Sequence, residues 1–186
     1  QKDALRFERN KHQAVIIPPD ALLSITYPIT ICTWVSFPNP NQWGGHLISC
    51  RKDSRINYQF SLFDDKYAYD YQLKRFEFRQ YTGIEKDIVG FYSEPFIPET
   101  NKWYQFVTTY DGENLRFYVN GELFQESPYK GAPTGNPAEI IIGAVKKEGQ
   151  YILPEGDFDG IIDELMIFYH SLSEQEIQTM YRIGKP

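Results

Sequence analysis

From Trp103 to Gly121 the chain reads WYQFVTTYDGENLRFYVNG, a stretch that leaves few choices of fold. Trp103, Gln105, Val107 and Thr109 alternate with Tyr104, Phe106, Thr108 and Tyr110, which is the two-residue period of a pleated strand and not the period of a helix. Asp111-Gly112-Glu113-Asn114 breaks the alternation with residues that accept positive φ or bond their own backbone. Leu115, Phe117 and Val119 then alternate with Arg116 and Tyr118. The stretch predicts a β-hairpin turning at Asp111-Gly112, followed by a second tight turn at Asn120-Gly121. Trp103 is expected to be largely buried in this hairpin, and Trp34, in its own alternating strand, is likewise assigned to structure.

The same period recurs along the chain. Residues 29–37 and 46–50 read as strands joined by a Pro/Asn/Gly-rich loop. If they pair antiparallel about that loop, positions summing to 82 face each other and Cys32 meets Cys50. A disulfide and a pair of small buried thiols both fit this count. In residues 56–62 Asn57, Gln59 and Ser61 alternate with Tyr58, Phe60 and Leu62, and in residues 74–81 Arg75, Glu77 and Arg79 alternate with Phe76, Phe78 and Gln80. Each strand thus has an apolar face for a core and a polar face for solvent or ligand. Residues 63–71 between them read as an ordered loop or an extra hairpin.

Ile140 to Val145 predicts a short buried strand and Gly160 to Tyr169 the last long one. Ser173-Glu174-Gln175-Glu176 has the form of a capping box, with Ile177, Met180 and Tyr181 at helical spacing before Gly184. With ten or more hairpin-connected strands, no internal repeat and one helix, the chain predicts an all-β fold. It is a two-sheet antiparallel jelly-roll sandwich with one short C-terminal helix, taking residues 1–186 as a single domain.

The central hairpin, from Trp103 through Tyr110-Asp111-Gly112 to Tyr118-Val119-Asn120-Gly121, resembles that of laminin-G-like domains in the concanavalin A-like lectin/glucanase superfamily. Ala4-Leu5-Arg6-Phe7, Val15-Ile16-Ile17-Pro18, Ile29 to Val35, Ile140 to Gly143, Phe158 to Leu165 and Leu172 to Ile177 are similar, in order, to other segments of that family. The resemblance implies a concanavalin A-like jelly roll and a secreted or cell-surface setting. It leaves sugar binding, protein binding and glycan hydrolysis open, because one scaffold serves all three. It also implies a candidate structural calcium at Asp163, whose family counterpart is one ligand alongside backbone carbonyls and N-terminal acidic residues. Here only Asp3 and Glu8 stand near that end, and no other cofactor is required.

A formal net charge of -6 argues against a nucleic-acid partner, which needs clustered Lys and Arg. No run reaches the ~18 apolar residues of a membrane span. Glycan hydrolases of the superfamily carry two or three carboxylates at alternating positions of one strand. Asp163 and Glu164 are adjacent, so strand alternation would turn them to opposite faces, and Glu94, Glu99 and Glu113 fall in turns. There is no G-x-S-x-G, no H-E-x-x-H and no phosphate-cradling glycine loop, and a non-catalytic chain is expected.

If the strands carrying Gln59, Glu77, Arg79 and Arg116 share one sheet, their polar faces form a patch of donors and acceptors suited to sugar hydroxyls. Certain fructan-binding modules of the family are similar in setting Glu, Gln and Arg on successive strands. Trp43 and His46 in one loop, and Tyr67, Tyr69, Asp70 and Tyr71 in another, are the candidate edge of that patch. The same residues also fit a solvated sheet face and a self-packed tyrosine loop. The expected partner is an oligo- or polysaccharide, bound by a lectin-like module that stands beside other domains of a larger protein. The alternative is a protein-interaction domain of laminin-G type with no sugar site.

Overall fold

The structure, a computed structural model, describes residues 3–21, 28–39, 45–52, 55–64, 74–81, 88–129, 137–145, 158–184 and 186. Among them twelve strands form two antiparallel sheets in a jelly-roll sandwich. The first sheet runs in the order β1 (Leu5–Phe7), β12 (Gly160–Phe168), β3 (Ile29–Ser36), β8 (Trp103–Tyr110), β9 (Asn114–Val119) and β10 (Glu122–Pro128). The second runs β2 (Val15–Ile17), β11 (Ile140–Ile142), β4 (Gly45–Lys52), β5 (Arg55–Asp64), β6 (Lys74–Tyr81) and β7 (Ile88–Tyr92). One helix, α1 (Glu174–Gly184), follows β12.

The central hairpin is β8–β9, in register from Tyr110↔Leu115 to Phe106↔Val119. Its turn is made by Asp111, whose Oδ1 accepts the backbone N–H groups of Glu113 at 2.8 Å and Asn114 at 2.7 Å, with Gly112 at φ +104. Asn120 and Gly121, at φ +55 and +81, make the next turn, which has the two left-handed residues of a type I′ hairpin and leads into β10.

Alternation sends Tyr104, Phe106 and Tyr110 into the space between the sheets, where they meet Phe60, Phe78, Phe117 and Tyr129. Phe60 of the second sheet stacks on Phe117 of the first with ring centroids 6.2 Å apart. Each such side chain contributes about 1.5–3 kcal/mol by leaving water.

α1 packs on the outer face of the first sheet. Ile177, with Leu172 and Met180, packs on Cys32, Val107 and Tyr118, while Tyr181 stacks on Trp34 at 5.6 Å. The capping box forms as the sequence predicts: Ser173 N–H donates to Glu176 Oε2 at 2.7 Å and Glu176 N–H to Ser173 Oγ at 3.4 Å. Thr30 pins the approach to the helix, accepting Leu172 N–H at 2.9 Å and donating to the His170 carbonyl at 2.8 Å.

Two expectations fail on topology. β3 and β4 do not pair, because β3 lies between β12 and β8 in the first sheet and β4 between β11 and β5 in the second. Cys32 therefore faces α1 while Cys50 lies in the core between the sheets, and both are free thiols. Burial pushes the Cys32 thiol up to about 12, with Glu164 adding to the rise, so it stays protonated and inert. Trp103 is only partly buried. It shares its face with Gln105 and Val107, away from the core, which is filled by the alternate residues Tyr104 and Phe106.

Candidate functional site

The second sheet presents to its outer side the polar halves of its alternating strands. Register sets Ser49, Gln59 and residue 79 in one row across β4, β5 and β6, and His46, Ser61 and Glu77 in the next. The intervening Ile48, Phe60 and Phe78 enter the core. Gln59 Nε2 donates to Ser61 Oγ at 3.2 Å, and His46 Nδ1 joins the same oxygen at 2.7 Å. Ser61 is thus the hub of a chain that fixes an amide and an imidazole side by side.

This face is not the open, solvated patch that the sequence predicts. Gln59 and Glu77 are each 1% exposed, Ser49 and Ser61 0% and His46 8%. Ser49 Oγ is buried with no protein hydrogen-bond partner. Alternation predicts that these side chains turn away from the core, but turning away from one core does not make a residue exposed.

Arg116 does not join them. It lies on β9 of the first sheet, where its Nη1 donates to Asp111 Oδ2 and its Nη2 meets Glu126 Oε1, both at 2.7 Å. Its partners are the hairpin turn and the neighbouring strand β10, so Arg116 is a hairpin brace. Burial works against the charge of Asp111, but the Asn114 N–H, the Arg116 guanidinium and the Glu113 N–H outweigh it and hold the carboxyl below its ordinary range. Trp43, Tyr67, Tyr69, Asp70 and Tyr71 lie outside the described residues; of the loop or hairpin expected over residues 63–71, residues 63–64 end β5 and the rest lies outside the described residues.

Asp163 sits where β12 departs from alternation. A bulge between Asp163 and Met166 puts Glu164 at φ +46, so the rule that adjacent residues point to opposite faces does not apply there. Asp163 Oδ1 accepts the Glu164 N–H at 2.8 Å, and its carbonyl accepts the Thr33 hydroxyl at 3.2 Å. Among the described residues no three His, Cys, Asp or Glu side chains cluster to hold a metal. Asp163 brings one carboxylate, already engaged in the bulge, toward the ~6 to 8 oxygens that a calcium shell requires.

The sheet order, the β8–β9 hairpin and the closing helix belong together as one known pattern. Residues 9–178 match a laminin G family model described as the concanavalin A-like lectin/glucanases superfamily. The chain belongs to that superfamily. Its fold is shared by a heptameric pentraxin from Limulus polyphemus, at 15% identity and TM-score 0.62 over 91% of this chain and 82% of the other. Domain 4 of an extracellular arabinanase from Geobacillus stearothermophilus, solved in complex with arabinotriose, is similar at 16% identity and TM-score 0.64, covering 90% of this chain and 72% of that one. The binding domain of botulinum neurotoxin serotype G is similar at 16% identity and TM-score 0.67, over 97% of this chain but only 42% of the toxin fragment. At such identities the likeness establishes the fold alone. No curated protein sequence matches the chain, and no helix among the described residues is long and apolar enough to cross a membrane.

Proposed function

We propose that this superfamily member is a non-catalytic carbohydrate-binding module of a secreted or cell-surface protein. It takes an oligo- or polysaccharide on the outer side of its second sheet, where His46, Gln59, Glu77 and Arg79 stand in adjacent register rows. The observation that carries this reading is the chemistry of a covered face. Burying hydroxyl, amide, imidazole and carboxylate groups is costly unless polar partners answer them, and on this face Ser49, Gln59, Ser61, Glu77 and His46 stand together, with Ser49 Oγ lacking any protein partner. A polar floor pre-organised by the Gln59–Ser61–His46 chain suits a ligand whose ring hydroxyls both donate and accept.

Similar folds support the ligand class. The arabinanase domain is in complex with arabinotriose, and a similar type C toxin is described as entering cells through interaction with two ganglioside molecules. The protein-binding alternative has its own support in a toxin binding domain solved with rat synaptotagmin II.

A glycan array on the purified chain, repeated with calcium and with chelator, tests the reading. Retention of a defined glycan in both conditions is the expected result, and no glycan retained in either would reject it. Arg79→Ala should then weaken the retained glycan by about 1.5–3 kcal/mol, the range of a charge-assisted hydrogen bond. Unchanged affinity for that variant would move the site off this face while leaving the module reading intact.

A further inference from the structure

The sequence holds a single Asn-Gly pair, Asn120-Gly121. A glycine shields its own nitrogen with no side chain, so that nitrogen can attack the carboxamide of the asparagine before it more readily than the nitrogen of a bulkier residue can. Here the pair makes the turn from β9 into β10, with both residues left-handed at φ +55 and +81.

Two restraints hold this turn. Across the hairpin, Gln105 N–H donates to Asn120 Oδ1 at 3.0 Å, and Asn120 N–H donates to the Gln105 carbonyl at 2.9 Å. A left-handed residue sets the nitrogen that follows it nearly opposite its own Cβ, whereas closing a ring between the two requires them on the same side. The chain must therefore rotate at Asn120, and give up its bonds to Gln105, before Cγ can reach the Gly121 nitrogen. The second restraint is α1. Gly121 is buried, and a Cβ built on it would stand 3.0 Å from Tyr181 Cβ and 3.3 Å from Tyr181 Cγ and Cδ1. A contact that tight leaves the turn no room to swing while Tyr181 is in place. Tyr181 is kept there by its stacking on Trp34 and by Ile177 packed beneath the helix.

We propose that Asn120 is a site of spontaneous deamidation, gated by the docking of α1. When the helix leaves the sheet the turn is free to open. The Gly121 nitrogen then bonds to Asn120 Cγ and gives its proton to solvent, and the carboxamide nitrogen leaves as ammonia, which forms a cyclic imide. Water opens the imide at one carbonyl to give aspartate or at the other to give isoaspartate. Aspartate adds a negative charge and keeps an acceptor for Gln105 N–H. Isoaspartate adds a methylene to the main chain of a two-residue turn whose twist must match its strands, and so shifts β10 on β9. Position 120 records in covalent form the time the helix has spent off the sheet.

The test follows the mass of the chain and of the peptide containing Asn120 during incubation at mildly alkaline pH. Modification at Asn120 should be slow in the parent and faster in Ser173→Ala, which removes the helix cap. It should be faster again in Tyr181→Ala, and fastest in the parent unfolded by denaturant. Ser173 lies on the exposed first turn of the helix, so its variant tests the gate even where Tyr181→Ala does not fold. A folded parent modified at the unfolded rate overturns the proposal, as do variants no faster than the parent. Absence of modification at Asn120 even in denaturant overturns it as well.

Discussion

The outer face of the first sheet is overlaid by α1, whereas the described part of the second sheet's outer face gathers a cluster of buried polar side chains. Over the first, α1 lays Ile177, Met180 and Tyr181 on Cys32, Val107, Tyr118 and Trp34. On the second, Ser49, Gln59, Ser61, Glu77 and His46 are as deeply buried, but they are polar. Burial alone therefore says little about what a face is for. An apolar face under a helix has one partner for life. On the polar face Ser61 already answers Gln59 and His46 while Ser49 Oγ has no protein partner, and a pre-organised polar cluster of this kind is the candidate for recognition.

The largest expected effect tests the apolar seal. Trp34→Ala should cost about 3–5 kcal/mol in chemical denaturation, since it empties the contact with Tyr181 and exposes the sheet under the end of α1. A loss under about 1 kcal/mol would mean that the helix is not part of the cooperative unit. On the polar face, Gln59→Ala should leave Ser61 with one bond fewer and weaken glycan binding by about 1–3 kcal/mol in titration calorimetry.

Arg116→Ala should cost at most about 1 kcal/mol of stability, as partly exposed ion pairs do, and should leave glycan affinity unchanged. Any change in affinity would break the assignment of the two faces to different tasks. The smallest effect is expected from Ser49→Ala, whose stability should stay within about 0.5 kcal/mol of the parent or rise. Its hydroxyl has no protein partner to lose, so a loss of glycan affinity without a loss of stability would mark it as a ligand contact.

The hairpin turn adds a dependence on pH. The Asp111 carboxyl is held below its unfolded value, so its contribution is present above that value and fades as pH falls through the folded one. Asp111→Asn should flatten the acid limb of a stability–pH curve, and an unchanged limb would remove the turn from the account.

What was legible in the sequence was local. Alternation at Trp103–Tyr110, the Asp-Gly and Asn-Gly turns and the Ser173/Glu176 box each encode their geometry within a few residues, and each formed. The membership of strands in sheets was less legible. Counting register across the 38–45 loop presumed that neighbours in sequence are neighbours in a sheet, but β3 and β4 belong to opposite sheets, which separated Cys32 from Cys50. The same limit put Arg116 with Gln59, because alternation gives the side of a strand and not the sheet it joins. For the candidate site, the polar parity of Gln59 and Glu77 could be read, but their burial could not. Burial depends on what lies over the sheet, and no residue within the strand reports it. The bulge at Glu164 had no local signal either, since neither glycine nor asparagine marks it.

β12 occupies the place in the first sheet between β1 and β3, although it is the last of the described strands. During synthesis on a ribosome, the N-terminal strand therefore emerges with no partner, and its pairing residues Leu5 and Phe7 wait for Ile162 and Gly160. Such long-range closure slows folding and leaves strand edges exposed in the nascent chain. Completion of this sheet waits for Gly160–Phe168, and a chaperone that shields β1 and β3 until that segment has emerged would act on a step that topology makes slow.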